Sequence, residues 1–377
     1  MWFLMFYDPL TLLVLVLAYI VGFSVLLLVA GVIAPRVARK FASKFALQTS
    51  MAIIGLLVIV TGLSGIGLIL YVLLSIFEFE VAVGLILTVM LIILVLNLFT
   101  YLISPFAINI MYGARRDAEL QRIVNEVAMK LGFKKPPKAV VVEGPPNAFA
   151  YGSIIAGRYV AVTRGMLEIA TPEELRAVIG HELGHHRHRD NAVMLFMGLI
   201  PSVLYFLGIM LIRTGLILTY ARHYYRNSRR GEGSGLLLAA VGFIAVVLSF
   251  LVQVLVLAFS RLREYYADSA GAYATSHRSM QRALARIHLF YNTRPRALEP
   301  VRTSKLRALF IYAFTEAYAN PFYKYYDYGG VRSADIDRVV DELRKAKHED
   351  ISEFFSTHPP IPKRIKFLDT LAFYSKY

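Results

Sequence analysis

The charged residues of this chain are unevenly distributed, and long charge-free stretches alternate with polar segments. Asp, Glu, Lys and Arg are absent from five stretches, each longer than the roughly 20 apolar residues that cross a bilayer. We therefore predict five transmembrane helices, three before a polar region and two after it begins. Their ranges are Pro9–Pro35, Phe45–Phe77, Val81–Ala114, Asn191–Ile212 and Gly233–Ser260.

The polar region between the third and fourth predicted spans has the pattern of a small α+β domain. Apolar residues recur with helical spacing over Arg115–Leu131. The β-branched run Lys138–Glu143 predicts a strand, and Asn147–Gly152 and Tyr159–Thr163 predict two more, the former at a sheet edge. The predicted fold class is a mostly α, multi-pass membrane protein with a small α+β domain at the membrane surface. Its predicted divisions are 1–114, 115–190, 191–260 and 261–377.

The next predicted helix has a well-defined N-terminal signal. Thr171 has the position of an N-cap, Pro172 that of the first helical residue, and Glu174 that of the reciprocal partner in a capping box. The helix that begins here continues into the sequence HELGHHRHRD at residues 181–190. A histidine-rich motif is therefore expected on a helix rather than in a loop.

The first five letters of this motif have the spacing of a metal site. His181 and His185 are four residues apart, so both imidazoles leave one face of the helix and can share one Zn²⁺. Glu182 lies beside the open coordination position, where it can take a proton from a zinc-bound water. His186 and His188 are expected outside the ligand set, at the surface or behind the ligands.

A catalytic zinc needs a third protein ligand and an open position for water. The sequence REYYAD at 263–268 follows the fifth predicted span and places Glu264 and Asp268 four residues apart on one helical face. One of them can bind the metal while the other orients a ligand histidine. The two spans before it form a hairpin that returns the chain to the side it left, so this helix can face the HELGH helix.

Charge and cysteine content narrow the class of protein further. Lys and Arg number 41 against 26 Asp and Glu, a net charge of +15, in a chain with 57% apolar residues. In a membrane protein such an excess indicates cytoplasmic loops and anionic lipid rather than nucleic acid. Basic residues at 36–44 and 115–116 place the polar region in the cytoplasm, although the basic loop between the last two spans opposes this orientation. Cysteine is absent, which excludes thiolate metal sites and cysteine nucleophiles.

Three separated motifs occur in order: HELGH, then REYYAD after a predicted hairpin, then STHPP at 356–360 with an arginine after it. In these motifs the chain resembles the M48 family of membrane zinc metalloproteases, in particular the HtpX-type heat-shock proteases. The resemblance implies a gluzincin-like domain with one Zn²⁺ per chain. It makes His181, His185 and Glu264 the zinc ligands, Glu182 the general base and Asp268 a supporting carboxylate behind the ligands.

The same resemblance assigns three further residues to the site. Asn147 matches the Asn of a strand along which substrate is expected to extend by strand addition. His358 matches the His of the HPP motif and Arg364 the arginine after it, and both are expected near the site, stabilising the oxyanion or a carboxylate. Two features depart from the pattern: three predicted spans precede the polar region instead of two, and the stretch Arg278–Gly330 matches no motif.

Other classes fit the residues less well. The prenyl protease branch of the same family shares these motifs and processes prenylated C-termini inside a multi-helix chamber, which five spans fit poorly. A metal transporter needs ionisable groups inside its spans, and the five charge-free stretches contain none, histidine included. For the same reason a rhomboid-type serine protease is excluded, because its histidine would lie within a span. An intramembrane HExxH site is disfavoured because HHRHRD is too charged for hydrocarbon.

The sequence therefore predicts a multi-pass zinc endopeptidase of the cell membrane whose site faces the cytoplasm. Its expected partners are the bilayer and protein or peptide substrates, chiefly membrane proteins, with no nucleic acid. No oligomeric state is indicated. Cleavage of damaged or misfolded membrane proteins is the role that the family resemblance alone implies.

Overall fold

The computed structural model describes residues 44–76, 79–187, 190–224, 234–293, 336–346 and 358–374. The predicted span Pro9–Pro35 and residues 294–330 of the unmatched stretch lie outside the described residues. Contacts between residues divide the chain into two compact units. Among the described residues, one unit lies within 49–99 and 194–256, and the other comprises 44–48, 100–187, 190–193, 257–293, 336–346 and 358–374. The four-part division predicted from sequence stays a prediction.

Helices account for most of the described residues, and the strands are confined to residues 115–163. The helices are α1 (Lys44–Ile76), α2 (Phe79–Met111), α3 (Ala118–Lys130), α4 (Arg164–Ile169), α5 (Pro172–Arg187), α6 (Asp190–Tyr224), α7 (Ser234–Ala274), α8 (His277–Thr293), α9 (Ile336–Lys345) and α10 (Ile361–Tyr374). The strands are β1 (Arg115–Arg116), β2 (Lys138–Val142), β3 (Ala148–Ser153) and β4 (Gly157–Thr163).

Four helices within the described residues are long and apolar enough to cross a membrane: α1, α2, α6 and α7. They correspond to the second to fifth predicted spans, but α6 and α7 extend well beyond them. The prediction ended these spans at Ile212 and Ser260, whereas the helices continue to Tyr224 and Ala274. A charged residue marks where a chain leaves hydrocarbon, but it does not break a helix, so the backbone continues as a helix on the polar side.

The second unit contains a four-stranded sheet in the order β1-β2-β4-β3. Strands β2 and β4 are parallel, whereas β3 lies antiparallel to β4 and forms an edge, as the sequence predicted. The predicted helix Arg115–Leu131 is wrong at its start, because Arg115 and Arg116 pair with β2. Helix α3 begins after Asp117, whose Oδ1 accepts a hydrogen bond from the Leu120 amide at 2.8 Å and so acts as the N-cap.

The predicted capping box of α5 is confirmed. The Thr171 amide donates to Oε2 of Glu174 at 2.9 Å, and the Glu174 amide donates to Oγ1 of Thr171 at 3.4 Å. The Glu174 carboxylate is buried and also accepts two hydrogen bonds from Arg286 of α8, at 2.5 and 2.9 Å. Burial raises the pKa of Glu174, but the bonds from Arg286 and Thr171 outweigh it and lower the pKa below its usual range. The start of α5 is thereby attached to α8.

Small residues allow α5 and the end of α7 to approach each other closely. A Cβ atom at Gly180 would lie 2.8 Å from the Cβ of Ala274, and one at Gly184 would lie 2.9 Å from the Cβ of Ala270 and 3.0 Å from the Cα of Ala267. These distances are shorter than a carbon–carbon contact of about 3.5–4.0 Å. The two helices can therefore pack at this distance only with glycine at these positions.

We expect Gly184→Ala to lower the thermal unfolding midpoint in detergent, although alanine favours a helix by up to about 1 kcal/mol over glycine. The new methyl group would collide with the backbone of α7, and overpacking of this kind costs about 1–3 kcal/mol. Gly198→Ala in α6 is the matched control, because a Cβ there meets nothing within 4 Å. A midpoint for Gly184→Ala at or above that of Gly198→Ala would contradict the close packing.

Candidate metal centre

Helices α5 and α7 bring three metal-binding side chains together. Donor atoms of His181, His185 and Glu264 all lie within 4.8 Å of one another. The two Nε2 atoms of the histidines are 3.3 Å apart, and each lies 3.5 Å from one oxygen of the Glu264 carboxylate. The HELGH and REYYAD motifs, which are separated by the α6–α7 hairpin in sequence, therefore meet in space.

These separations fit a tetrahedral metal ion. Ligand bonds of about 2.0–2.1 Å put neighbouring donor atoms of a tetrahedral zinc site about 3.3–3.4 Å apart. Oε2 of Glu264 is buried, and within the described part of the chain its neighbours are Nε2 of His181 and Nε2 of His358, each 3.5 Å away, so this oxygen faces the space between the three donor groups. Two imidazoles and one carboxylate with no sulfur form a donor set that suits zinc, and three protein ligands leave one coordination position open.

A buried ion pair supports the first histidine from behind. Nδ1 of His181 lies 3.0 Å from Oδ1 of Asp268, which orients Nε2 toward the other two donors. The guanidinium of Arg364 forks onto the same carboxylate, with Nε 2.8 Å from Oδ2 and one terminal nitrogen 2.6 Å from Oδ1. The side chains of Asp268 and Arg364 are fully buried. Arg364 therefore contacts a carboxylate, one of the two functions expected of it.

The electrostatics of His181 follow from these neighbours. Burial lowers its pKa, but the carboxylates of Asp268 and Glu264 outweigh burial and raise the pKa to about 9. At pH 7 the imidazole is therefore in its protonated, imidazolium form when no metal is bound. Because a metal ligand must be deprotonated, metal binding at this site releases that proton and is weaker at low pH.

Glu182 lies in a buried position next to the metal-binding group. It is only 3% exposed, and burial raises the pKa of its carboxyl group above the usual range, against the opposing effect of His181 and His185. The backbone N–H of Ala150 in β3 donates a hydrogen bond to it. A carboxylate with a raised pKa is a stronger base, which suits a group that takes up a proton during a reaction.

The edge strand β3 presents its backbone to this glutamate. The Thr163 amide donates to the carbonyl of Asn147 at 2.9 Å, so these two residues occupy a hydrogen-bonded position next to Ala148 and Val162, where the antiparallel ladder begins. Hydrogen-bonded and open pairs alternate along such a ladder. The backbone groups that face the open edge therefore belong to Ala148, Ala150 and Gly152.

Asn147 and His358 occupy different places around this centre. Asn147 is buried at the start of β3, and Oγ1 of Thr163 bonds both its amide and its carbonyl, at 2.8 and 2.9 Å. Nε2 of His358 lies 3.5 Å from Oε2 of Glu264, beside the metal-binding group itself. Burial lowers the pKa of His358 to about 4, helped by Arg364 and opposed by Glu264, so its imidazole is neutral at pH 7.

The structure thus gathers seven of the eight predicted site residues around one point and places Asn147 directly before the adjacent strand β3. The sequence did not indicate the residues that hold Asn147 and the helix α5 in place. Oη of Tyr291 donates to the carbonyl of Pro146 at 3.0 Å, directly before Asn147, and Arg286 anchors the start of α5. Both belong to α8, in the stretch that matched no motif. His186, expected at the surface or behind the ligands, is buried with Nε2 2.8 Å from the carbonyl of Tyr159.

We expect Arg364→Ala to lower the free energy of unfolding by about 3–5 kcal/mol, because it leaves the Asp268 carboxylate buried without its guanidinium. Thermal and denaturant unfolding of the full chain in detergent measure this change. Arg338→Ala is the control, because the Arg338–Glu342 pair has an arginine side chain that is 82% exposed, and such pairs contribute about 0–1 kcal/mol. Equal losses for the two variants would show that Arg364 does not compensate a buried charge.

Comparisons with known proteins place the chain in a family. A family model described as peptidase family M48 matches residues 114–372. A Protease HtpX homolog of Pyrobaculum aerophilum is 49% identical, with 94% of this chain and 96% of the relative covered. Another from Archaeoglobus fulgidus is 46% identical, with 98% of both chains covered, so the stretch that matched no motif falls mostly within this alignment.

A likeness to a solved structure is slighter. The crystal structure of S. mikatae Ste24p superposes with a TM-score of 0.44 at 17% identity, covering 86% of this chain and 67% of that one. At that TM-score the superposition carries no argument about this protein. The sequence matches are decisive by themselves, since they span nearly the whole chain and include the residues that meet at the metal-binding group. The chain belongs to peptidase family M48 and is a membrane metalloprotease similar to the archaeal HtpX homologs.

Proposed function

We propose that the protein is a zinc-dependent endopeptidase whose metal ligands are His181, His185 and Glu264. The observation that carries this proposal is the convergence of two imidazole nitrogens and a carboxylate at 3.3–3.5 Å beside the buried carboxyl group of Glu182. Zinc bound there supplies Lewis-acid polarisation of the scissile carbonyl and of the attacking water. All other functions in the reaction belong to side chains and backbone groups of the chain.

Glu182 is the proposed general base. Its carboxylate takes a proton from the attacking water and delivers it to the leaving amine. The raised pKa that burial produces favours uptake of the proton, and the hydrogen bond from Ala150 fixes one carboxylate oxygen. Asp268 holds His181 in one tautomer through Nδ1, and Arg364 keeps that aspartate ionised inside the protein.

His358 is the proposed stabiliser of the negative charge that develops on the scissile carbonyl oxygen. Its imidazole is neutral, is mostly buried and lies within 3.5 Å of a metal ligand, so it can donate a hydrogen bond in an environment of low dielectric constant. Arg364 contributes indirectly, because its guanidinium contacts Asp268 rather than an open position.

Substrate is proposed to bind as an additional strand on the open edge of β3. The outward backbone groups of Ala148 and Gly152 and the carbonyl of Ala150 can pair with any extended peptide, which gives affinity without strict sequence preference. Asn147 directly precedes the strand, and its backbone is fixed there by Thr163. The Ala150 N–H that bonds Glu182 lies in the same row, so a peptide paired with β3 passes next to the proposed base.

The cellular setting is proposed from charge and from the relatives. Basic residues at 36–44 and 115–116 favour a multi-pass protein of the cell membrane with its site in the cytoplasm. The relatives are named as homologs of the protease HtpX, and the substrates proposed here are damaged or misfolded membrane proteins. A sequence-tolerant strand edge suits such a varied set of substrates.

We expect Glu264→Ala to lose bound zinc and Glu182→Gln to retain it while losing proteolysis, because the first residue is a ligand and the second is the base. Zinc content measured by plasma emission spectrometry and casein cleavage in detergent with added zinc separate the two roles. Removal of a general base typically costs about 10²–10⁴-fold in rate. Chelation of the metal from the native protein should abolish cleavage, and zinc should restore it.

The matched control for the ligand is Glu143→Ala, an exposed glutamate on the same unit that pairs with Arg164 at the surface. It should retain both zinc and activity. Stoichiometric zinc in Glu264→Ala would refute the third ligand. Equal cleavage by the native protein and Glu182→Gln would remove the support for Glu182 as base.

A further inference from the structure

The β3–β4 hairpin ends in an exposed apolar tip that the proposed chemistry does not use. Ile154 and Ile155 are 81% and 67% exposed, and they stand next to each other at the turn. Isoleucine is among the residues most often buried in soluble proteins, so two adjacent exposed isoleucines need a partner or an apolar medium. The tip belongs to the strand whose open edge is proposed to bind substrate.

The hairpin is attached to α2, a helix that is apolar enough to cross a bilayer. Oη of Tyr151 donates to Oδ1 of Asn109 at 2.5 Å, and Oγ of Ser153 donates to the carbonyl of Leu102 at 3.3 Å. From Tyr151 to Ser153 the strand advances by two residues, while its partner on α2 moves back by seven, from Asn109 to Leu102. The strand therefore descends along the helix, away from its C-terminal end and toward the middle of its apolar run.

The depth of these contacts follows from the geometry of a helix. The apolar run of α2 covers Ala82–Met111, and at 1.5 Å per residue Asn109 lies about 19 Å from its middle and Leu102 about 8 Å. Half of the hydrocarbon layer is about 15 Å thick. With the run centred in the bilayer, the Tyr151 contact lies at the headgroups and the Ser153 contact lies within hydrocarbon. The next two residues of the hairpin are Ile154 and Ile155.

The residues around the hairpin are those typical of a membrane interface. Aromatic rings of Tyr112, Phe149, Tyr151 and Tyr159 form a row with centroid separations of 5.1–5.6 Å. Nζ of Lys138 lies 5.0 Å over the Tyr159 ring and 3.2 Å from the carbonyl of Ala156 next to the tip. Tyrosines with an adjacent lysine match the aromatic belt and the anionic headgroups of a bilayer surface.

We propose that the tip of the β3–β4 hairpin inserts into the lipid bilayer, and that the open edge of β3 leads substrate from the bilayer to the metal centre. The second part rests on the proposed endopeptidase function. From Ile154 to Ala150, which bonds the proposed base, the strand covers four residues, or about 13 Å. A peptide paired with β3 is therefore cut within a few residues of the point where it leaves the hydrocarbon. The substrate class is a membrane-anchored segment, cleaved next to its anchor.

Insertion is tested by placing a single probe on the tip in the full chain. The protein contains no cysteine, so Ile155→Cys can be labelled with an environment-sensitive NBD fluorophore without background. Met129→Cys is the matched control, because Met129 is also apolar and 67% exposed. Its neighbour Lys130 contacts the carbonyl of Ala274 in α7. Ala274 lies about 21 Å along this helix from Ser260, the last residue of the charge-free stretch Gly233–Ser260.

Both labelled proteins are reconstituted into vesicles of phosphatidylcholine and phosphatidylglycerol. We expect the probe at 155 to emit at shorter wavelength, to lose fluorescence to lipids with nitroxide-labelled acyl chains and to resist aqueous iodide. The probe at 129 should show the reverse. Quenching of the probe at 155 by iodide and not by nitroxide lipid would overturn the proposal. Shielding from both quenchers would also overturn it, because a protein surface would then cover the tip.

The route of the substrate is tested with the double variant Ile154→Asp, Ile155→Asp. We expect its cleavage of a membrane-anchored substrate to fall about tenfold or more, since aspartate is unfavourable in hydrocarbon, while a soluble peptide of the same sequence is cut at the native rate. Equal rates of the variant and the native protein on the anchored substrate would overturn the route. If the probe at 155 inserts but the native protein cleaves neither substrate, insertion stands and the proposed endopeptidase function fails instead.

Discussion

The candidate metal centre depends on the close approach of two helices that lie far apart in the sequence. His181 and His185 are on α5 and Glu264 is on α7, and their donor atoms meet at 3.3–3.5 Å because Gly180 and Gly184 present no side chain to α7. A single methyl group at either position would lie 2.8–3.0 Å from atoms of α7, closer than the roughly 3.5–4.0 Å of a carbon–carbon contact, and would push the helices apart. Since metal–ligand bonds tolerate little variation in length, the packing of these small residues sets the geometry of the site.

The same approach places charges in the protein interior, where they are costly unless each has a partner. Each buried charged group has a partner in one chain of contacts: Arg364 forms a bidentate pair with Asp268, Asp268 bonds His181, and His181 faces Glu264. At the N-terminus of α5, Glu174 takes part in the capping box and also accepts two hydrogen bonds from Arg286. Helix α5 is thus fixed at its start by α8 and at its metal-binding turn by α7 and α10. These contacts give the side chains of α5 the fixed positions that their proposed roles in catalysis require.

The strand β3 connects the chemistry of the site to the membrane. Its outward backbone groups begin next to Asn147 and pass the carboxyl group of Glu182, and its tip descends along the apolar helix α2. A protease that acts on membrane proteins, as proposed for this chain, has to receive an extended chain from an environment where unpaired backbone groups are costly. An open strand edge that begins where the chain leaves the hydrocarbon offers such a chain hydrogen-bonding partners at the membrane surface. Binding and extraction would then use the same surface.

Spacing along the chain was sufficient to predict a metal site at His181 and His185, a base at Glu182, the edge strand and the start of α5, and it left open which of Glu264 and Asp268 would bind the metal. These features repeat with the period of one helix or strand, or they follow from the local chemistry of a capping box. The family resemblance proposed Glu264 as the ligand and Asp268 as the supporting carboxylate. It also added Asn147, His358 and Arg364. Tertiary structure alone decided that Arg286 and Tyr291 of α8 hold the site, that β1 begins where a helix was predicted, that α7 continues past the charged residues, and that the hairpin tip lies beside α2. The physical reason is distance along the chain. A contact between residues a hundred positions apart depends on how whole helices and strands pack, and the helical or strand period of the sequence contains no information about it.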